Sequence, residues 1–400
     1  MYNILMSMLE NFKEYTSPVL GRYFDDFEVT SGKGCYLYDI NGKQYIDFAS
    51  GIATCSVGYC HPKVVKAAID QTKKLIHTCI GVAIYEPYID LGKIIRSITS
   101  ISESQVFCCQ SGSEAVEAAI KLVRYATKKP GLIAFEGAFH GRTLGALSLT
   151  TSKMKYREGY EPLLPETYIS SLDLDSVKKL INEHQIAGII VEPIMGEGGY
   201  KVISSDFLQG LRKLCDQSGV LLIADEVQSG IGRTGRWFAF EYAGIVPDVI
   251  VLAKGIASGF PLGVCVASKD LMSKWSPGAH GSTFGGNPVC CAAAVATINV
   301  IKEKGLLGKA EKLGKYLIKR LEKLKNKYSQ IKDVRGIGLM VGVDFGDNTV
   351  VKKIMNFCLE KGLVLISTGG DGTVIRFVPS LIIKKPQIDK ALEIFELSLQ

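Results

Sequence analysis

The sequence VLLIADEVQSGIGRTGRWFAFEYAGIVPDVIVLAK, residues 220–254, contains two apolar runs that each lead into a charged residue. The runs, 220–225 and 248–253, are short and continuous, which is typical of strands buried on both faces of a parallel sheet. The first run ends at Asp225, and the second is followed by Lys254. Because aspartate and lysine avoid burial unless they have a partner or a function, these two strand ends predict a functional site.

The same alternation of apolar runs with helical patterns extends outward on both sides of this stretch. Such an alternation predicts an α/β fold in which a mainly parallel sheet lies between two layers of helices. The runs expected to form strands are 105–110, 131–136, 187–192, 220–225, 248–253 and 263–267. The patterns expected to form helices are 113–127, 206–218 and 287–302.

The two ends of the chain differ from this centre. Residues 20–47 are expected to form a short antiparallel meander with an Asn-Gly turn. Residues 305–400 alternate helical patterns with apolar runs and predict a smaller α+β domain. For a chain of 400 residues, this pattern predicts three units. They are an N-terminal segment at 1–47 that packs with the small domain, a large domain at 48–300 and the small domain at 301–400.

Composition and charge argue against several other classes of protein. Hydrophobic residues make up 47% and charged residues 22%, which is ordinary for a globular chain. The net charge of +7 is mild, and much of it lies in 302–327. There, lysines alternate with apolar residues at helical spacing, as in a solvent-exposed amphipathic helix, and no nucleic-acid motif accompanies them.

The cysteines and the N-terminal residues indicate the cellular compartment of the protein. Its 11 cysteines include no CxxC pair, which predicts neither a disulfide framework nor a metal site and favours a reducing compartment. Residues 1–15 lack the apolar core of a cleavable signal, and no uncharged apolar stretch is long enough to span a membrane. These patterns predict a cytoplasmic protein without a membrane or nucleic-acid partner.

Ser111, Gly112 and Ser113 lie between a predicted strand and the helix that follows it. A turn of small residues at a helix N-terminus presents free N–H groups and the positive end of the helix dipole, so it can hold a phosphate group. Ordinary helix capping, with Ser113 as the N-cap, is the alternative.

Asp225 and Lys254 suit a pyridine cofactor. A carboxylate that faces a pyridine nitrogen keeps it protonated and makes the ring an electron sink, and the nearby Gln228 could bond the ring's phenolic oxygen. A buried lysine has a lowered pKa and is nucleophilic. A structural salt bridge for Asp225 and a strand-edge position for Lys254 are the alternatives.

Phe139, His140 and Arg142 follow another predicted strand. An aromatic ring could stack on a flat cofactor, and an arginine can bind a carboxylate with two hydrogen bonds. His140 alone would suit a structural role equally well. Taken together with the phosphate turn, the strand-end aspartate and the strand-end lysine, these residue types are those that pyridoxal 5′-phosphate (PLP) requires.

From about Gly21 to its C-terminus, the sequence resembles the class III (ω-amino-acid) aminotransferases of PLP fold type I. That fold has a large domain with a mostly parallel sheet between helices and a smaller α+β domain. The motifs that carry the resemblance are SGSEAVEAAIKLVR (111–124), AFHGRTLGALSLT (138–150), VEPIMGEGGY (191–200), LLIADEVQSGIGRTGRWFAFE (221–241), VLAKGIASGFPLG (251–263) and HGSTFGGNP (280–288).

The resemblance implies a role for each cofactor-binding residue. Lys254 is implied to hold PLP as a Schiff base and to move the proton, and Asp225 to pair with the pyridine nitrogen. Phe139 is implied to stack on the ring, and Gln228 to contact its oxygen. Thr283 resembles the residue that reaches the phosphate of the neighbouring subunit's cofactor, which implies a homodimer with two shared active sites. The full implied set is Ser111, Gly112, Ser113, Phe139, His140, Gln228, Lys254 and Thr283.

The resemblance also implies the residues that bind substrate. Arg142 resembles the arginine that takes the distal carboxylate of an ω-amino acid. Arg376 resembles the one that takes the α-carboxylate of glutamate or 2-oxoglutarate. Glu197 resembles the gate that pairs with that arginine when an ω-amine is bound. Ile52 lies where the family lines its pocket with an apolar side chain.

Two segments, HTCIGVAIYEPYIDL and GSEAVE, favour the 4-aminobutyrate branch of the family. The predicted reaction moves the amino group of a 4-aminobutyrate-like ω-amino acid to 2-oxoglutarate, giving a semialdehyde and glutamate. An acetylornithine- or ornithine-type aminotransferase and a PLP-dependent racemase or epimerase of the same family are the alternatives. A non-catalytic protein on a doubly wound sheet is disfavoured, since no GxGxxG follows the first strand of the sheet.

Overall fold

A seven-stranded sheet forms the centre of the computed structural model, which describes residues 7–400. Its strands lie in the order Ser104–Cys109, Gly263–Ser268, Val249–Leu252, Leu221–Asp225, Ile186–Val191, Gly131–Phe135 and Thr167–Ser170. Gly263–Ser268 pairs antiparallel with both of its neighbours, and the other pairs in the sheet are parallel. The predicted α/β fold with a mostly parallel sheet is therefore confirmed.

Both faces of the sheet are buried, as the continuous apolar runs predict. In the strand Leu221–Asp225, Leu222 and Ala224 belong to one hydrophobic cluster, whereas Ile223 belongs to the cluster on the opposite face. Alternate side chains of a strand point to opposite faces, so a run without polar residues needs cover on both. The helix Gly112–Thr127 covers one face of the sheet, next to Ile223.

Helices surround this sheet and the smaller sheets. The helices are Met8–Tyr15, Pro62–Lys74, Glu86–Arg96, Gly112–Thr127, Leu144–Ser148, Leu174–Glu183, Ser205–Ser218, Lys269–Met272, Pro288–Glu303, Leu306–Lys327, Asn348–Glu360 and Lys385–Leu397. Short 3₁₀ turns lie at Met154–Tyr156, Ala239–Ala243 and Lys254–Ala257. In the described residues, 7–400, no helix is both long enough and apolar enough to cross a membrane.

The N-terminal meander pairs with a strand from near the other end of the chain. A four-stranded sheet has the order Val29–Lys33, Tyr36–Asp39, Gln44–Asp47 and Leu363–Val364. The first three strands pair antiparallel, and Leu363–Val364 adds in parallel. The segment therefore packs on the C-terminal part of the chain, while residues 1–6 of the predicted N-terminal unit lie outside the described residues.

The C-terminal part forms an antiparallel sheet of its own. Its strand order is Asp333–Ile337, Met340–Asp344, Val374–Phe377 and Ile366–Thr368. The helix Leu306–Lys327 packs on it through Leu317, Leu321 and other apolar residues at helical spacing. The lysine-rich stretch is thus amphipathic, as expected. Its first two residues, Lys302 and Glu303, belong to the preceding helix, and Gly305 separates that helix from Leu306–Lys327.

Candidate active site

Asp225 and His140 form a buried pair at the carboxyl end of the central strand. His140 donates from Nδ1 to Asp225 Oδ2 at 2.7 Å, and the Val227 amide donates to Asp225 Oδ1 at 3.0 Å. The other ring nitrogen of His140, Nε2, is buried and has no hydrogen-bond partner among the described residues. The histidine thus orients the carboxylate, which lines a cavity.

Lys254 lies two residues after the end of the neighbouring strand, Val249–Leu252. Its backbone has a φ of 47°, the left-handed region that a non-glycine residue adopts at a cost of about 1–3 kcal/mol. Burial lowers the pKa of the Lys254 amine, although Glu197 acts in the opposite direction. A strained backbone and a lowered pKa are the features of an amine that is held ready to react.

The small-residue turn begins the helix Gly112–Thr127, but the expected alternative of Ser113 as its N-cap is wrong. Ser111 is the N-cap, and its Oγ accepts from the Glu114 amide at 3.2 Å. The Ser113 hydroxyl instead accepts from the Arg142 amide at 3.1 Å. Gly141 brings that segment so close that a Cβ there would collide with Ser113 Oγ. The turn at Ser111–Ser113 is therefore in direct contact with the segment that follows the strand Gly131–Phe135.

Replacing Ser111 by alanine is expected to lower the free energy of unfolding by about 1 kcal/mol, because the Glu114 amide loses its capping partner. Chemical denaturation of the protein measures this change. Ser111→Thr is the matched control, since it keeps a hydroxyl that can accept from the Glu114 amide. A loss of stability in Ser111→Thr that equals the loss in Ser111→Ala would contradict the assignment of the cap.

These groups enclose one cavity of about 340 Å³, which is within the range of small-molecule sites. It brings together the predicted Ser111, Gly112, Ser113, Phe139, His140, Asp225, Gln228 and Lys254. The cavity also has lining residues that the sequence did not single out, among them Thr54, Gln110, Glu192 and Phe260. The helix N-terminus and the two strand ends thus face one space.

Gln228 is fixed in this cavity by a residue that sequence reasoning missed. The Tyr200 hydroxyl donates to Gln228 Oε1 at 2.7 Å, so the amide nitrogen of Gln228 is left to donate elsewhere. Gly196 makes room for this side chain, because a Cβ there would collide with Gln228 Nε2. The glycines and the tyrosine of MGEGGY were the available signal.

Glu192 is a second residue that sequence reasoning missed. Its carboxylate accepts from the Phe139 amide at 2.8 Å and from the Gly196 amide at 2.9 Å. Burial raises the pKa of Glu192, and the nearby His140 opposes the rise. The residue ties the Phe139 segment to the MGEGGY segment and so shapes the cavity wall.

Arg376 and Glu197 form the expected pair. Arg376 Nη1 lies 2.8 Å from Glu197 Oε1, and both side chains are largely buried. Burial disfavours both charges, yet the pairing raises the pKa of Arg376 and lowers the pKa of Glu197. Arg376 Nη2 also donates to the Tyr23 hydroxyl at 3.3 Å, from a segment in which the sequence offered no signal. Both charges of the pair act on the pKa of the Lys254 amine, Glu197 raising it and Arg376 lowering it.

Arg142 lies next to the aromatic rings of Tyr156 and Phe139. Its guanidinium carbon is 3.6 Å from the centroid of the Tyr156 ring and 5.8 Å from that of Phe139. The two rings meet edge to face, with centroids 5.9 Å apart. The Arg142 side chain is exposed, and among the described residues no carboxylate pairs with it.

Five of the predicted residues lie outside the lining of this cavity: the substrate residues Arg142, Glu197 and Arg376, described above, and also Ile52 and Thr283. Ile52 is half-buried against the cluster that includes Tyr45 and Val364, within a turn whose residues, from Ser50 to Ala53, all have positive φ. Thr283 is exposed, and its carbonyl oxygen accepts from His77 Nε2 at 2.9 Å.

Solved structures with the same fold are aminotransferases. An ornithine aminotransferase from Toxoplasma gondii, in which PLP partly occupies the active site, superposes with a TM-score of 0.91 at 29% identity, covering 97% of this chain and 93% of that one. A transaminase from the marine bacterium Virgibacillus gives a TM-score of 0.92 at 29% identity, covering 97% of each chain. The predicted PLP fold type I is thereby confirmed.

Residues 21–399 match the family model described as aminotransferase class-III. The chain belongs to the class-III aminotransferases. This agrees with the resemblance seen in the motifs, which begins at about the same residue. As a class-III aminotransferase, the protein uses an amino donor and an oxo acid.

The curated relatives of this class-III aminotransferase favour one of the alternatives over the 4-aminobutyrate prediction. The acetylornithine aminotransferase of Archaeoglobus fulgidus is 42% identical over 92% of this chain and 94% of its own. That of Methanocaldococcus jannaschii is 43% identical over 94% of each chain. The 5-aminovalerate aminotransferase of Pseudomonas aeruginosa is 42% identical over 90% of each chain.

Proposed function

We propose that this class-III aminotransferase binds PLP and transfers the ω-amino group of an acetylornithine- or ornithine-type donor to 2-oxoglutarate. The observation that carries the proposal is the Arg142 guanidinium beside Phe139, which has no carboxylate partner among the described residues, whereas Arg376 is paired with Glu197. Such a site has a cation free for the one carboxylate of a donor whose reacting amine is at its other end. The acetylornithine-type relatives support this donor class.

The residues around the cavity fit PLP. The N-terminus of Gly112–Thr127 offers backbone N–H groups to a phosphate, and Asp225, already oriented by His140, offers a carboxylate to a ring nitrogen. Gln228 has an amide N–H left for the ring oxygen, since Tyr200 occupies its carbonyl. Phe139 offers an aromatic wall on the same cavity. Lys254 supplies the amine.

When bound, PLP supplies an electron sink for the charge left by proton removal. Lys254 is the group that takes the proton from the amine-bearing carbon and returns it, acting as general base and then as general acid. Burial lowers the pKa of its amine, which gives the neutral base at a lower pH than an exposed lysine would allow. Asp225 holds a proton at the ring nitrogen.

Arg142 and Arg376 would orient the two substrates in turn. With Glu197 neutralising Arg376, the donor carboxylate binds Arg142 and the reacting amine lies near Lys254. With 2-oxoglutarate, the α-carboxylate binds Arg376 in place of Glu197. Since a buried charge that loses its partner is costly, the exchange needs a substrate that brings a carboxylate to Arg376.

A panel of donors tests the proposal. The holoprotein is assayed with 2-oxoglutarate and N-acetylornithine, ornithine, 5-aminovalerate or 4-aminobutyrate, and the glutamate formed is measured. The highest kcat/KM is expected for N-acetylornithine or ornithine. The 5-aminovalerate relative supports a second candidate, an ω-amino acid donor, which a preference for 5-aminovalerate or 4-aminobutyrate would establish. Inversion of an amino acid without an oxo acid would indicate a racemase instead.

Replacing Arg142 by alanine is expected to raise KM for carboxylated donors about tenfold or more, since a charge-assisted bidentate contact is lost. The KM for a simple amine such as pentylamine is expected to change little. Steady-state kinetics with both donors measures the difference. An equal rise for both donors would count against a carboxylate-binding role.

We infer a homodimer with shared active sites. Thr283 is exposed in the single chain and lies next to Phe284, whose ring packs on His77. Phe284, Val82 and Ile84 are all strongly exposed apolar side chains, and their two segments are joined where the Tyr85 hydroxyl donates to the Gly286 carbonyl oxygen at 2.8 Å. Exposed apolar side chains in neighbouring segments are typical of a protein interface, which supports the role proposed for Thr283 on the neighbouring cofactor's phosphate.

We retain the three units proposed from the sequence, 1–47, 48–300 and 301–400. The seven-stranded sheet lies within the second unit, and an antiparallel sheet lies within the third. The pairing of the meander with Leu363–Val364 supports packing of the first unit on the third. We also retain a cytoplasmic location, which the 11 unpaired cysteines support.

A further inference from the structure

Arg233 is a buried arginine without a counter-ion. It is 2% exposed, and within residues 7–400 no carboxylate pairs with it, while its Nη2 is buried without a hydrogen-bond partner. Burial lowers the pKa of Arg233 to about 10, so the guanidinium stays charged at neutral pH. A buried charge without a partner is costly, and residues that carry such a cost are expected where a function requires them.

The hydrogen bonds that Arg233 does make join the ends of two strands. Its Nη1 donates to two backbone carbonyl oxygens, that of Leu339 at 3.2 Å and that of Pro379. Leu339 immediately precedes the strand Met340–Asp344, and Pro379 follows the strand Val374–Phe377 by two residues. Because these strands are antiparallel neighbours, Arg233 holds both of them at the same end of their sheet.

The segment 230–235, which carries this arginine, is itself tightly packed against the C-terminal part of the chain. A Cβ on Gly338 would collide with the Thr234 carbonyl oxygen. A Cβ on Gly235 would lie 2.8 Å from the Cβ of Glu311, on the long lysine-rich helix. Since close-packed segments move little relative to each other, the guanidinium is a fixed point for the strand ends that it binds.

Arg233 connects two groups that face the candidate active site. Arg376 lies three residues before Pro379, on one of the strands that Arg233 holds, and Gln228 lies five residues before Arg233. Tyr200 lies between them, because its hydroxyl donates to Gln228 and its ring centroid is 6.0 Å from the guanidinium carbon of Arg376. The chain from Gln228 through Arg233 to Arg376 thus forms a closed circuit of contacts.

We propose that Arg233 is a positioning residue that fixes Arg376 relative to Gln228 and so sets the fit of the α-carboxylate of the 2-oxo acid. This deepens the proposed function and rests on it for the role of Arg376. A bidentate contact between a guanidinium and a carboxylate depends on its geometry, and a misplacement of about 1 Å can cost about a hundredfold in rate. The carboxylate of the donor, assigned to Arg142, does not depend on this strand.

Three variants separate positioning from a general structural role. Arg233→Met removes the charge and both hydrogen bonds at similar volume, whereas Arg233→Lys keeps the charge and one donor group. Arg236→Met is the matched control, because Arg236 is an exposed arginine of the next residues along the chain, where it donates to the Glu241 carbonyl oxygen at 3.1 Å.

The first measurement is the KM of the holoprotein for 2-oxoglutarate and for the preferred donor. Arg233→Met is expected to raise KM for 2-oxoglutarate about tenfold, and Arg233→Lys about threefold, since one ammonium replaces a forked donor. The KM for the donor is expected to stay within about twofold in both variants, and Arg236→Met to change neither value. If Arg233→Met does not fold, the Arg233→Lys variant decides. An unchanged KM for 2-oxoglutarate, or an equal rise for donor and oxo acid, would overturn the proposal.

The second measurement is a double-mutant cycle with Arg376→Ala. If Arg233 acts through Arg376, adding Arg233→Met (or Arg233→Lys, where the methionine variant does not fold) to Arg376→Ala is expected to cause no further rise in KM for 2-oxoglutarate. A further rise as large as that in the single Arg233 variant would show an independent effect and overturn the proposal.

A crystal structure of the same Arg233 variant as holoprotein distinguishes failure of this proposal from failure of the proposed function. The Arg376 guanidinium is expected to move relative to Gln228 by about 1 Å or more. An unmoved Arg376 would overturn the positioning role. If Arg376 moves but Arg376→Ala leaves the KM for 2-oxoglutarate unchanged, the role of Arg376 in the proposed function fails, whereas the control of its position by Arg233 stands.

Discussion

Replacing Lys254 by alanine is expected to lower kcat by about 10⁴-fold, the upper range for loss of a positioned general acid–base group. The visible absorption of the lysine-bound cofactor is expected to vanish as well. The reason is that Lys254 is the amine among the residues that line the cavity, where burial lowers its pKa. Turnover with the preferred donor and the absorption spectrum of the purified protein measure the two effects.

The control for this experiment is Lys201→Ala. Lys201 is exposed on the short strand Lys201–Val202, and its replacement is expected to leave both kcat and the spectrum unchanged. A Lys254→Ala protein that keeps the visible band and turns over would remove the role proposed for this amine.

Replacing Asp225 by asparagine is expected to lower kcat about 10³-fold, as when a preorganised charge that stabilises a transition state is lost. Asparagine has nearly the same shape and retains an oxygen that can accept from His140. It lacks the negative charge that keeps a ring nitrogen protonated. Steady-state kinetics with saturating cofactor and both substrates measures this loss.

Glu226→Gln is the matched control for Asp225→Asn. Glu226 is the next residue along the chain and is equally buried, but its carboxylate bonds Ser229 and the Phe240 amide. Its replacement is expected to alter stability and to leave kcat within a few-fold of the original. Asp225→Asn with unchanged kcat, or Glu226→Gln with an equal loss, would argue against the assignment.

The centre of the fold could be predicted because its strands are buried on both faces. Such strands appear as uninterrupted apolar runs, and each observed bound differs from the predicted one by at most one residue. Thr167–Ser170 was missed because it is an edge strand, less buried and short. Asp333–Ile337 was missed for a similar reason, since it lies at the edge of its sheet and contains Gly336.

The sequence could predict those residues of the cavity that follow the carboxyl ends of strands. Asp225, Lys254 and the turn at Ser111 meet because parallel strands present their carboxyl ends on the same edge of a sheet. Tyr23 and Tyr156 could not be found in this way. They reach the site from segments outside that sheet, and such contacts leave no local pattern in the sequence.

The choice of Ser113 as N-cap failed for a different reason. Ser111 and Ser113 are the same residue type two positions apart, and either side chain can cap a helix. The Ser113 hydroxyl does not cap the helix because it accepts from the amide of Arg142, a residue distant in sequence. The 4-aminobutyrate prediction rested on short segments, whereas the acetylornithine aminotransferases match over more than nine-tenths of the chain.

The pairing of Gln44–Asp47 with Leu363–Val364 constrains the order in which the protein can fold on the ribosome. All seven strands of the central sheet have been synthesised once residue 268 has emerged. The strand Gln44–Asp47, however, cannot pair with Leu363–Val364 until almost the whole chain has been translated. The nascent protein therefore carries an open strand edge throughout most of its synthesis, a surface that invites pairing with other chains until its own late strand arrives.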